Sequence, residues 1–201
     1  MTDTALSQPV NAHALDRIFR EARTMNGYLD KPVAPEMLHR IWDLMKMGPT
    51  SANQLPARLV WCASDDARKR LAACASEGNR DKIEKAPVAV ILAMDLDFHE
   101  ELPWLFPHAD AKSWFEDEDA RRESAFRNSS LQGAYFIVAC RALGLDCGPM
   151  SGFDADRVTT EFLGDHPRWR PNFISTLGYG DMDSTYDRSP RPDFETFNIV
   201  L

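Results

Sequence analysis

The sequence predicts an α+β fold in which a small sheet is packed by helices, one of them buried at the centre. Three observations lead there. Helical and strand patterns follow one another without strict βαβ alternation. Residues 87–94 form a short, continuously apolar run, which suits a strand buried on both faces. Residues 125–143 carry apolar side chains around most of a helical circumference, which marks a helix enclosed by its neighbours.

The elements can be justified in order. Residues 12–23 read as a helix, because Leu15, Ile18, Phe19 and Ala22 fall on one apolar stripe. Asn26-Gly27 should end it. A second helix spans residues 36–47, with Pro35 at its first turn and Leu38, Ile41, Leu44 and Met45 as its buried face. Gly48-Pro49 stops it. Residues 58–62 are a short strand, and Asp65-Asp66 cap a helix to about Ser76. After the strand at 87–94, residues 95–119 are irregular, aromatic and acidic, ending in Glu116-Asp117-Glu118-Asp119 as a solvated loop or helix start. Gly144 closes the long helix. Asp154 caps a short helix to about Leu163, and residues 172–179 are the last strand. The tail from Asp181 to Leu201 is too sparse for a core of its own and should wrap something.

Composition excludes several classes. With 201 residues, 44% of them hydrophobic and 27% charged, the chain is globular, and its length suits a single domain over residues 1–201. A net charge of −8 argues against sequence-independent nucleic-acid binding, but leaves room for a small anion held by local arginines. No apolar run is long enough to span a bilayer. The polar stretch Met1 to Asn11 has no apolar signal region, and the four cysteines form no C-x-x-C pair, so a cytoplasmic protein with reduced thiols is expected. Five scattered histidines show no metal spacing.

Three features could carry chemistry. The segment from Pro49 to Pro56 clusters hydroxyls and amides between prolines, either as a capped turn or as a donor-rich ligand loop. The run from Gly144 to Phe153 has glycines that permit close backbone approach to a flat ligand, or is a plain loop. Arg23, Lys82, Arg188 and Arg191 are a basic set in an acidic protein, able to fork onto phosphate with Thr24 nearby, or simply solvated.

In this order and at these separations the features resemble one family. The matching stretches are Ala22-Arg23-Thr24-Met25-Asn26-Gly27-Tyr28, Met47-Gly48-Pro49-Thr50-Ser51-Ala52-Asn53, and Gly78-Asn79 before Ala86-Pro87-Val88. They continue in Phe126-Arg127-Asn128-Ser129-Ser130, in residues 142–153, and in Gly178-Tyr179-Gly180-Asp181. Across nearly the whole chain the sequence resembles the FMN-dependent nitroreductases. It is most similar to the short bacterial branch that reduces malonic semialdehyde to 3-hydroxypropanoate in pyrimidine catabolism.

The resemblance implies a nitroreductase-like fold with a small mixed β-sheet and an intertwined homodimer, the tail at 181–201 reaching the partner. It implies FMN as cofactor and NADH or NADPH as donor. Arg23 and Thr24 match the motif that holds the flavin phosphate and ribityl chain, and Arg191, with Arg188 as a second candidate, matches the C-terminal phosphate arginine. Pro49, Thr50, Ser51 and Asn53 match a loop that reaches the flavin across the dimer interface. Asn79 and Lys82 match groups at the pyrimidine edge, and Asn128 stands where relatives often have glutamine. Pro149, Met150, Ser151 and Gly152 match the loop whose backbone N–H points at flavin N5; several relatives have Glu at the position of Ser151. Asn26 falls where many relatives carry a base. Trp104, Phe106, Trp114 and Phe115 are either a lid over the flavin or a satellite core under a loop. Arg127 and His108 are candidates for the carboxylate partner and proton donor of a semialdehyde. A general nitro or quinone reductase, or a flavin-binding module without turnover, are the alternatives.

Overall fold

The computed structural model describes residues 8–201. The first seven residues of the stretch read as lacking a secretory signal lie outside them. Four strands form the sheet: β1 (Ala57–Cys62), β2 (Val88–Asp95), β3 (Asp146–Met150) and β4 (Trp169–Gly178). Their order is β1-β2-β4-β3, and every neighbouring pair is antiparallel. The sheet is therefore antiparallel, not mixed. Between β1 and β2 the chain makes two helices, α3 (Asp65–Cys74) and α4 (Glu77–Lys85), and returns to the end of the sheet it left, so β2 runs back along β1. The helix expected to about Ser76 is α3, which ends at Cys74; the backbone turns extended at Ala75, which bridges to Phe153, and α4 follows as a helix the sequence reading did not include.

β2 explains why the sheet has two covered faces. Its Val88, Val90 and Leu92 pack on one side with Ile41, Met45, Phe136 and Cys140. Its Ala89 and Ile91 pack on the other side with Leu71, Ile83 and Val158. Alternation of side chains along one apolar strand therefore feeds two cores at once, as the unbroken hydrophobic run predicted. Helices α2 (Pro35–Met45) and α6 (Glu118–Ala142) cover the first side; α3, α4 and α7 (Ala155–Phe162) cover the second. Ile41 and Met45 of α2 are fully buried, but Leu44 is not.

The first helix is shorter than its stripe suggested. α1 (Ala12–Leu15) passes into a π-turn over Asp16–Arg20 and ends there, well before Asn26-Gly27. The wider turn rotates side chains off the 3.6-residue period, and Phe19 comes out exposed. Tertiary bonds hold this turn instead. Arg17 donates to Asp146 Oδ1 and to the Leu145 carbonyl, both at 2.8 Å. The other Asp146 oxygen accepts the Gly180 N–H at 3.2 Å. One buried carboxylate thus ties the first turn, the start of β3 and the end of β4.

The long helix α6 starts earlier than its apolar run. Asp117 caps it, accepting from the Ala120 N–H at 2.8 Å, and Glu118 and Asp119 occupy its first turn, where the helix dipole favours acids. The acidic run is its N-terminus. Gly133 lets α6 lie close on the sheet: a Cβ there would sit 2.4 Å from the Phe173 ring. The helix is not enclosed all round. Ala125, Gln132, Phe136 and Cys140 are buried, whereas Phe126, Leu131 and Tyr135 on other faces are exposed. Tyr135 lies partly against Gly48, whereas more than half of Phe126 stays open to solvent among the described residues.

The segment after β2 is less irregular than expected. It holds a 3-10 turn at Phe98–Glu101, the one-turn α5 (Leu102–Leu105) and a second 3-10 turn at Ala111–Phe115. The tail carries a single helical turn, α8 (Phe194–Phe197), and leaves Phe197, Ile199, Val200 and Leu201 exposed. Among the described residues no helix is long and apolar enough to cross a membrane.

Replacing Asp146 by Ala would leave the Arg17 guanidinium and the Gly180 N–H without their acceptor. A loss of about 1–3 kcal/mol is expected, discounted toward the lower figure because Arg17 is one-third exposed. Thermal unfolding should show a Tm lower by a few degrees; an unchanged Tm would mean that water satisfies both groups.

Candidate active site

Two concave features flank β3, one near each end. The first is a cavity of about 280 Å³ lined by Arg23, Thr24, Asn26, Arg141, Arg188 and Arg191, among others. Its construction is local. The Met25 N–H bonds the Cys147 carbonyl at 3.1 Å, laying the segment after the first turn along the outer edge of β3. Gly148 makes this possible, since a Cβ there would stand 2.6 Å from the Met25 carbonyl oxygen. The tail then closes over that segment. Asn26 Nδ2 donates to the Ser184 carbonyl at 3.0 Å, and the Gly27 N–H bonds Ser184 Oγ at 2.9 Å. Arg188 donates to the Ala22 carbonyl at 3.1 Å, and Arg23 donates to the Tyr186 carbonyl. Arg191 donates to the carbonyls of Ser189 and Pro190, both at 3.0 Å.

These tethers use neutral carbonyls, so they cancel no charge. Four arginines and one acidic residue, Asp187, line the cavity. Each guanidinium has five N–H donors in a fork that matches phosphate. The chemistry of the set is that of a site for a small polyanion. Arg141 was not among the residues singled out from the sequence. A base in the last turn of a helix reads as an ordinary partner of the helix dipole, so nothing local marked it.

At the other end, Pro149, Met150 and Ser151 border an open cleft of about 340 Å³ with Ser130, Gly133, Ile137 and Phe173. The stretch read as a glycine loop is strand β3 up to Met150, and Ser151 lies one residue beyond its pairing with β4. The loop is fixed from behind. The Gly152 carbonyl accepts from the Ser76 N–H and from Asn79 Nδ2, each at 3.0 Å. Asn79 therefore holds the loop, with its amide against the backbone. Lys82 lies one turn further along α4, half-buried, and lines neither cavity.

The loop at Pro49, Thr50, Ser51 and Asn53 also lines neither. It is strained and tightly held. Ala52, Asn53 and Leu55 adopt φ of 50°, 51° and 40°, in the left-handed region that costs a non-glycine residue about 1 kcal/mol or more. Asn128 Oδ1 accepts the Ser51 N–H at 2.8 Å while its Nδ2 donates to the Ser124 carbonyl at 2.9 Å. Gln54, fully buried, bonds the Ser51 carbonyl and Ser124 Oγ, both at 3.0 Å. Thr50 Oγ1 accepts the Leu55 N–H at 3.2 Å. Asn128 thus positions this loop from α6. Gln54 escaped the sequence reading because a glutamine between small residues and a proline looks like surface.

The aromatic segment divides between its two readings. Phe98, Leu102 and Ala111 make a satellite core with Phe106 and Phe115 packed on it, whereas Trp104 and Trp114 stay exposed. Asn53 Nδ2 donates to the Leu105 carbonyl at 2.8 Å, tying this segment to the strained loop. His108 meets Phe106 edge-on at 5.6 Å, and Arg127 is exposed and paired with Glu123. Under the satellite core, His99 lies 3.4 Å from Arg121, and its buried Nδ1 has no partner among the described residues.

Residues 19–179 match the sequence profile described as the nitroreductase family. The chain belongs to the nitroreductase family. A protein of Stenotrophomonas maltophilia named "Putative NADH dehydrogenase/NAD(P)H nitroreductase" is 53% identical over 191 residues, covering 94% of this chain and 97% of that protein. Two crystal structures share the fold of this nitroreductase-family chain. One, of the "putative nitroreductase ydfN" from Bacillus subtilis, superposes with a TM-score of 0.84 at 20% identity, over 95% of this chain and 100% of that one. The other, of a "putative nitroreductase in complex with FMN" from Exiguobacterium sibiricum, has a TM-score of 0.83 at 17% identity, over 96% of this chain and 99% of that one.

Burial, with the Arg121 charge beside it, pushes the His99 pKa below its ordinary 6.5. The native ring stays neutral where the unfolded chain takes a proton. Stability contributed by this site is therefore complete above about pH 6.5 and falls as the pH drops below it. Denaturant titrations at pH 7.5 and 5.5 should show a loss on acidification that His99→Gln reduces. An equal loss in the variant would remove His99 from the account.

Proposed function

We propose that the chain is an FMN-dependent NAD(P)H oxidoreductase. The observation that carries this reading is the arginine-lined cavity at one end of β3 with an open cleft beside Ser151 at the other. The donor set fits the phosphate of FMN: Arg23, Arg188 and Arg191 would hold it, with the Thr24 hydroxyl as a further donor. Pro149, Met150, Ser151 and Gly152, together with Asn79 behind them, would shape the ring site. FMN, when bound, supplies a carrier that accepts hydride from NADH or NADPH and passes it to an acceptor.

The chain's own residues bind, orient and exclude. Asn79 keeps the Ser151-Gly152 backbone in place. Asn128 and Gln54 hold Ser51 and Asn53 on a loop that lines neither cavity of its own chain, which suits a role in a second subunit's site. Lys82 would face developing negative charge only from outside the cleft. The partner is a second copy of the chain. Phe126, Leu131 and Tyr135 on α6 and the apolar end of the tail are exposed and would be covered in a homodimer. A single domain acting in the cytoplasm is part of the same reading.

Malonic semialdehyde, reduced to 3-hydroxypropanoate, is the acceptor indicated by the sequence resemblance. It needs a cation for its carboxylate and a proton for the alkoxide formed on hydride arrival. Arg127 stands three residues before Ser130 of the cleft and would have to release Glu123 to serve. The lining of Ser130, Gly133, Ile137 and Phe173 offers no charge, and so suits flat nitro or quinone acceptors equally. A module that only stores flavin fits less well, because it would enclose the ring and the cleft is open.

Arg23→Ala and Arg191→Ala should each weaken FMN binding about 10- to 100-fold, the worth of one charge-assisted hydrogen bond. Full flavin content in both purified variants would sink the phosphate assignment. For the acceptor, the FMN-loaded protein is reduced anaerobically with NADPH and then mixed with malonic semialdehyde. Rapid return of the oxidised flavin absorbance supports the semialdehyde reading; reoxidation only on adding a nitroaromatic or quinone supports the general reductase.

A further inference from the structure

The aromatic segment meets α6 at a joint made by His99 and Arg121, which line neither the arginine cavity nor the cleft. His99 sits on the 3-10 turn Phe98–Glu101, with 12% of its side chain exposed. Its Nε2 lies 3.4 Å from Arg121 Nη1 of α6. A guanidinium only donates, so Nε2 accepts this bond and the neutral ring carries its proton on Nδ1. The same Arg121 nitrogen donates to the Phe115 carbonyl at 2.9 Å. One guanidinium therefore joins both 3-10 turns of the segment to α6. Charges of both signs surround the ring. Its own turn brings Glu100, whose Oε1 is 3.6 Å from Nε2, and Asp97 stands just before it. The second turn brings Lys112, bonded to Glu100 at 2.5 Å, while Asp110 and Glu116 line the same small cavity as His99. Arg168 pairs with Asp97 at 3.1 Å and with Glu118 of α6 at 3.0 Å. Burial, then the Arg121 charge, holds the His99 pKa down against the pull of Glu100 and Asp97.

We propose that His99 is a proton-operated latch for the aromatic segment: neutral, it ties the segment to α6 through Arg121; protonated, it turns its new N–H to Glu100 and lets α6 go. A proton on Nε2 takes the lone pair that Arg121 uses and sets two cations side by side. Nδ1 offers no relief, since it is buried with no acceptor among the described residues. Glu100 belongs to the same turn as His99, so the new pair no longer crosses to α6. The two arrangements are discrete, which is what a switch needs. The latch holds more than its own segment. Ala52 of the left-handed loop packs on the satellite core with Phe106 and Phe115, and Asn53 bonds the Leu105 carbonyl. Acid therefore loosens that loop as well. Where the loop serves a second subunit's flavin, flavin retention becomes pH-dependent; this consequence alone rests on the function proposed above. The sign follows from linkage. The open segment titrates near the ordinary 6.5 and the closed one below it, so the closed state binds fewer protons and opening grows as the pH falls through 6.5. Between pH 7.5 and 5.5 the ratio of open to closed rises by up to about tenfold.

Hydrogen exchange of the full chain at pH 7.5 and 5.5 tests the latch, read as protection factors so that the intrinsic pH dependence of exchange drops out. In wild type, residues 98–115 should lose up to about tenfold in protection on acidification, while β2 keeps its own. His99→Gln keeps an acceptor for Arg121 and takes no proton, so the extra loss at 98–115 should vanish. Glu100→Gln removes the carboxylate that receives the protonated ring, and should move the transition to lower pH. An equal loss in wild type and His99→Gln would assign the opening to other groups and overturn the proposal. So would a loss in wild type spread evenly over β2 and 98–115, which needs no variant to be seen. The rate of FMN release at the two pH values is measured separately. Release that quickens in acid for wild type but not for His99→Gln supports the extension to the flavin loop. Release that ignores pH while exchange shows the latch would leave the latch standing and remove the loop from the flavin site.

Discussion

The placement of β3 is the constraint on which the rest of the site depends. This five-residue strand is paired with β4 on one edge, and on the other it takes, among the described residues, the Met25 N–H. Its first residue, Asp146, is locked by Arg17 and Gly180, so the strand cannot slide. A shift of one residue would exchange its faces. It would move Gly148 from the one spot where Met25 can approach, and would carry Ser151 away from the cleft. The arginine cavity and the cleft keep their separation because a single short ladder sets both.

The electrostatics follow from where the chain ends cross. An acidic protein gathers four arginines by laying its tail over its N-terminal segment, each strand of the crossing lending the other backbone carbonyls. Carbonyls orient guanidinium groups without neutralising them. The same tail carries Asp181, whose N–H bonds the Gly27 carbonyl, so the crossing is anchored at both ends. Charge is concentrated at this one place by hydrogen bonding to neutral groups, which is why composition alone points the other way.

α6 links the remaining parts. Its buried face carries Asn128 and Gln132 among apolar residues, and both are spent on backbone: Asn128 on Ser51, Gln132 on the Ala57 N–H at 2.8 Å. Those bonds help offset the left-handed residues of the loop between α2 and β1. Through Asn53 and the Leu105 carbonyl, the aromatic segment hangs on that same loop. A change in the loop is thus felt by Trp104 and its neighbours without any direct contact to the cleft.

Local pattern was enough for the class of fold and for the position of β2, α2 and α7. These are properties of spacing and of residue type, and they survive without knowledge of neighbours. Tertiary structure decided what spacing does not encode. The first helix became a π-turn because Arg17 answers Asp146, more than a hundred residues away. Residues 146–150 of the run from Gly144 to Phe153 became a strand because β4 was there to pair with them. α6 kept an exposed apolar side because the sheet covers only one. Arg141 and Gln54 acquired their partners only through packing: a base at a helix end and an amide in a loop look solvated until the chain folds around them. Periodicity reports which face of an element is apolar, whereas the three-dimensional fold alone determines what lies opposite that face.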